Sequence, residues 1–174
     1  MTDTILQDAP LFRYSSDALL FAYRYSGQQY SMSAVAKMMG LRGGSGKGLS
    51  GLDGAAQAGM IKAEVDKLHP NERDCMVGRF ADPESEICKD AKKRLIPLAA
   101  AALPTGMHSR RMVAALVQRY FGKKATLNEM VEEFGVPKST LHDQWRTVAK
   151  KLRDSEDRAS HMIHDRLVSL GIVE

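Results

Sequence analysis

The sequence predicts an all-α protein, a multi-helix fold in which one pair of helices forms a helix-turn-helix. Three observations carry that expectation. Apolar residues recur at spacings of three and four along almost the whole chain. No two alternating runs are separated by a hairpin turn. Between Ala125 and Asp154 two periodic segments meet at Gly135-Val136-Pro137, the kind of glycine-led corner that joins two helices. The periodicity accommodates about eight or nine helices.

A chain of 174 residues, 44% of them hydrophobic, can bury a real core in one domain or two small ones. No run of eighteen apolar residues occurs and the first ten residues are acidic, so neither a membrane span nor a secretory signal is expected, and the chain is read as cytoplasmic. Cys75 and Cys88 form no C-x-x-C pair and are read as buried thiols. The net charge is +4, but it is unevenly spread: Pro104 to Arg153 holds ten Lys/Arg against four Asp/Glu. The chain is expected to divide into an aromatic-rich N-terminal segment with a Gly-rich linker (1–48), a helical domain (49–103), a basic helix-turn-helix module (104–153) and a C-terminal helix (154–174).

Six of the eleven aromatics fall in the first thirty residues: Phe12, Tyr14, Phe21, Tyr23, Tyr25 and Tyr30. They are expected to pack in a core rather than stack on bases. The alternation of Phe21, Tyr23 and Tyr25 leaves a short strand and a helix capped by Ser16 both open for residues 19–25. "SMSAVAKMMG" reads as a helix ending at Gly40. "LRGGSGKGLSG" resembles a phosphate loop only superficially, because Leu41 stands where the first glycine belongs and Gly48 where the hydroxyl belongs. With five glycines between Gly43 and Gly51 it reads as a linker.

Ser50 and Asp53 have capping-box spacing for the next helix, whose Leu52, Ala56, Gly59, Met60 and Ala63 form a narrow stripe expected to face the core. Pro70 and Pro104 each suit the first turn of a helix. The segments they open echo each other, ending in Arg79-Phe80 and Arg119-Tyr120. Between them "PESEICKDAKKRLIPLAAAAL" is expected to be helical and perturbed at Pro97.

Thr126 is expected to cap a helix carrying Leu127, Met130, Val131 and Phe134 on one face. Gly135 supplies a positive φ and Val136 plugs the corner. From Pro137 a second helix presents Leu141, Trp145, Val148 and Leu152 inward. Its opposite face carries Lys138, Ser139, His142, Asp143, Arg146 and Lys150. In a major groove Lys138 would meet guanine acceptors, Ser139 either kind of edge and Asp143 a cytosine amino group, while Arg146, Lys150 and Lys151 suit phosphates. His142 either donates to a base or is solvated. Thr140, Arg110, Arg111, Lys123 and Lys124 complete the candidate DNA-binding set. A last helix, Ser155 to Leu170, packs through Ala159, Ile163, Leu167 and Leu170 on the basic module or on a second copy. His161 and His164, at i and i+3, are read as surface residues; no metal, cofactor or enzymatic activity is expected.

"TLNEMVEEFGVPKSTLHDQWRTVAKKLR" resembles the promoter-reading C-terminal helix-turn-helix (region 4) of bacterial sigma factors, in its Thr-Leu start, Phe134, Val136, the basic residue at 138 and Lys151-Leu152-Arg153. "RRMVAALVQRYFG" looks like the helix before that motif. The likeness departs at Trp145 and at Gln144, which takes a normally apolar position. "LSGLDGAAQAGMI", with the aromatic N-terminus before it and the sigma-like module after it, resembles phage late-gene antitermination proteins of the Q type. That resemblance implies double-stranded DNA and RNA polymerase as partners, in a bacterial host cell; the paired cysteines of members with a zinc insertion are missing, so no metal is carried over. A DNA-binding assembly protein of the terminase small-subunit type is the alternative.

Overall fold

The structure is a computed structural model that describes residues 10–25, 52–104, 106, 109–122 and 126–174. The expected helix ending at Gly40, the glycine run from Gly43 to Gly51, Ser50 and Tyr30 lie outside the described residues. The described chain is all-helical: α1 (residues 15–25), α2 (Leu52–Asp66), α3 (Pro70–Phe80), α4 (Glu86–Arg94), α5 (Ile96–Ala101), α6 (Arg110–Tyr120), α7 (Leu127–Phe134) and α8 (Lys138–Ser169). One isolated bridge, Phe12 with Val173, is the only β pairing among the described residues. No helix among them is long and apolar enough to cross a membrane. The chain divides into two compact units, Lys67–Ser160 and the residues on either side of it.

In the flanking unit, residues 19–25 are helical, which settles the alternative left open by their alternation. Phe12, Phe21 and Tyr25 stack in a tilted row with ring centroids 5.3 and 5.1 Å apart, and Phe12, Ala18, Leu19 and Ala22 are buried. The expected stripe on α2 is overturned. Ala56, Gly59, Met60 and Ala63 face water, while Ala58, Ile61 and Val65 are buried. Both rows have helical period, and the row with the two β-branched side chains hides more apolar surface than one of alanine, glycine and a single methionine. At the other end of the chain, Ala159, Ile163 and Leu167 are buried as expected, but Leu170 is exposed. It follows the last turn of α8, which closes as a Schellman motif: Ile172 N–H reaches the Leu167 carbonyl (2.9 Å), Gly171 N–H that of Val168 (2.9 Å), and Gly171 takes φ +68°.

In the Lys67–Ser160 unit, side-chain caps start α3, α4, α6 and α7. Pro70 occupies the first turn of α3 as expected. Ser85 accepts from Cys88 N–H at the start of α4, and Ser109 from Met112 N–H at the start of α6. Pro104 does not open a helix. Gly106, at φ +84°, breaks the path, and the hydroxyl of Ser109 caps α6, which begins at Arg110, six residues after the proline. The α4–α5 segment breaks at Leu95, ahead of Pro97, whose ring removes a donor the helix would need. Cys75, Leu95, Ala99, Leu103, Met112, Val113, Leu116, Val117, Met130, Leu141, Val148 and Leu152 make one buried cluster, which spans the 103/104 boundary drawn from sequence. Cys75 and Cys88 are free, buried thiols. Burial first, and then the nearby Glu156 carboxylate, pushes the Cys75 thiol up to about 12.

The helix expected to end near Leu152 and restart at Ser155 is instead the continuous α8. No glycine or proline interrupts it. Ser155, the expected start of a new helix, is buried and turns its hydroxyl back to the Lys151 carbonyl (3.3 Å), so it extends the ladder rather than capping a fresh one.

Candidate nucleic-acid interface

The α7–α8 corner forms as its local chemistry dictates. Thr126 and Glu129 make a reciprocal capping box: Thr126 Oγ1 accepts from Glu129 N–H (3.2 Å) and Glu129 Oε2 accepts from Thr126 N–H (2.8 Å). At the far end Gly135 N–H donates to the Val131 carbonyl (2.9 Å) with the glycine at φ +66°. Three residues, Gly135 to Pro137, then separate α7 from α8. Val136 is half-buried against the core, as are Leu127, Val131 and Phe134, while Met130 is fully buried. A Cβ on Gly135 would meet nothing within 4 Å, so Gly135→Ala probes backbone conformation alone. It is expected to lower stability by about 1 kcal/mol, measured as a reduced denaturant midpoint at unchanged m-value.

The first turns of α8 have two faces. Leu141, Val148 and Leu152 are wholly buried. Trp145, expected inward, is half-buried and packs against the same cluster, and Gln144 beside it is buried to 5% exposure. The inward side therefore takes in Gln144 as well as Trp145. Trp145 lies on the flank, where the Arg119 guanidinium stacks over its ring at 5.3 Å. The outward face presents Lys138, Ser139, His142, Asp143, Arg146, Lys150 and Lys151, all exposed, with Thr140 half-buried beside them. Asp143 is the one carboxylate among these residues, and its carbonyl accepts from the Thr147 hydroxyl (3.0 Å).

Arg110 and Arg111 are exposed at the start of α6. Arg111 reaches Glu133 on α7 at 2.8 Å, tying the two helices together. Lys123 and Lys124 lie outside the described residues. His161 and His164 are both exposed.

A cross-helix cluster escaped the sequence reading. Glu156 receives two parallel hydrogen bonds from Arg79 (2.8 and 2.9 Å) and a third from the Tyr120 hydroxyl (2.7 Å). The same Arg79 lies over the Tyr120 and Phe121 rings at 5.1 and 5.4 Å. The Glu156 hydrogen bonds raise Arg79, and burial followed by Glu156 raises the Tyr120 phenol, so both keep their protons. The only trace in the sequence is the echo of Arg79-Phe80 by Arg119-Tyr120, which does not reveal that the two endings meet. A cleft of about 340 Å³ opens beside this cluster, lined by Arg119, Trp145 and Arg153 among others.

Chemically, the outward α8 face offers cationic heads and neutral donors on a rigid element whose opposite side is fixed by the core. No family model, curated protein or solved structure matches the chain.

Proposed function

We propose that this protein is a sequence-specific DNA-binding transcription regulator, a phage or prophage late-gene antiterminator of the Q type that acts on RNA polymerase in the bacterial cytoplasm. The carrying observation is the two-faced start of α8. Leu141, Val148 and Leu152 are sunk in the core, while Lys138, His142, Arg146 and Lys150 stand in solvent, directly after a short turn led by a left-handed glycine. Helix, turn and helix of this kind suit insertion of the second helix into a major groove, N-terminal residues first. The sequence likeness of residues 126–153 to the sigma region 4 motif supports the same reading, and the likeness to Q-type proteins is what adds antitermination.

Duplex binding is expected to weaken steeply with salt. Neutralising about four to six phosphates gives a slope of log affinity against log salt on the order of −4 to −5. Lys138→Ala is expected to change sequence preference at a cost of roughly 1 to 3 kcal/mol. Selection of binding sites from random duplexes, followed by titration in graded salt, measures both. A Lys138→Ala protein that prefers the parent's sequences with the parent's affinity assigns the reading to the wrong face.

A further inference from the structure

A second basic surface is built from three other helices of the same unit. The start of α3, the end of α4 and the start of α6 border an open, shallow cleft of about 530 Å³, lined by Arg73, Lys93, Arg94 and Arg110 with Asn71 and the Asp74 carboxylate among them. Arg94 is fixed in place by Asp74, which accepts two parallel hydrogen bonds from it (2.9 and 2.8 Å) and is itself only 2% exposed. The carboxylate is thus spent beneath the surface as a fastening for the guanidinium, half of which remains in solvent. Lys93 pairs with Asp90 one turn earlier (3.0 Å), an exposed contact between two solvated side chains that is easily exchanged for another anion. Arg110 pairs with no carboxylate among the described residues. Positive charge therefore outweighs negative in the cleft, and the amino ends of α3 and α6 add to it.

We infer that this cleft is a second phosphodiester-binding site, which grips the backbone of the duplex whose bases α8 reads. The inference rests on the DNA-binding function proposed above. Planar guanidinium forks suit phosphate oxygens, and a set of cations without a base-reading geometry gives grip without sequence information. Continuity favours the same duplex as occupant. The neighbour of Arg110 in sequence, Arg111, is bonded to α7, and α7 leads through three residues into the reading helix. Asp74 thereby becomes a positioning residue for a phosphate contact made by Arg94.

The test is the double variant Lys93→Gln/Arg110→Gln, which leaves the Arg94–Asp74 pair intact. The full-length protein is titrated with a random-sequence duplex and with duplexes selected by the parent protein, at several salt concentrations, beside Lys138→Ala and the charge-keeping Lys93→Arg/Arg110→Lys. Near 0.1 M salt the Gln pair is expected to bind at least about tenfold more weakly, with a salt slope shallower by about two and an unaltered sequence preference. The charge-keeping pair is expected to bind like the parent, which separates lost charge from lost fold. Parental affinity and slope in the Gln pair overturn the cleft; if Lys138→Ala still shifts preference, the α8 assignment survives without it. A loss that varies with sequence also overturns the cleft as a backbone site. A parent protein that binds no duplex removes both.

Discussion

Leu141→Ala is expected to destabilise the protein by about 3 kcal/mol and to take the proposed DNA binding with it. Leu141 is wholly buried in the cluster that also holds Met130, Val148 and Leu152. Truncation removes the transfer energy of the lost carbons and leaves a cavity that rigid neighbours fill only in part. The effect reaches the proposed function because α7 has eight residues and no independent stability, so its place against the start of α8 depends on this packing. Equilibrium denaturation, with the midpoint falling at constant m-value, measures the loss. Binding at a temperature where the variant remains folded shows whether the outward face keeps its geometry. A penalty below about 1 kcal/mol contradicts the buried placement of this side chain.

Arg94→Ala is expected to cost about 2 kcal/mol, by a different mechanism. The loss comes less from the arginine, half of which lies in solvent, than from the Asp74 carboxylate left in the interior without its two hydrogen bonds. Arg73, whose Nε lies 3.8 Å away, is too distant to replace them. A double-mutant cycle isolates this term. Arg94→Ala/Asp74→Leu removes the stranded charge along with its partner and is expected to regain most of the stability. If the double variant melts as low as Arg94→Ala alone, the stranded carboxylate is not the source.

The corner between α7 and α8 was legible in the sequence because each of its signals is local. A threonine three residues before a glutamate, a glycine at the helix end and apolar spacings of four, three and four act through neighbours in the chain. Pro70 and the break before Pro97 were legible for the same reason. What escaped depends on partners distant in sequence. Two rows on α2 had helical period, and only the surrounding core decides that Ala58, Ile61 and Val65 turn inward. Ser155 carries a helix-start signal that its own back-bonding cancels. The burial of Gln144 beside Trp145 depends likewise on the surrounding helices, as does the Arg119 guanidinium that covers the tryptophan ring.

The candidate site divides along the same line. The outward row from Lys138 to Lys150 could be read from helical period, since exposure on a helix repeats regularly once the buried side is known. The grouping of Arg73, Lys93, Arg94 and Arg110 could not, because its members come from three helices and their meeting is a tertiary event. Arg111, read only as a DNA contact, proves to be engaged by Glu133.

The two cysteines have zero exposure, and the one at position 75 holds its proton into strong alkali. A thiol in that state is a poor nucleophile, so alkylating reagents consume only those molecules that have transiently opened around it. The fold thus carries an intrinsic gauge of its own breathing, one at α3 and one at α4, which needs no added label to record how often each helix lets solvent in.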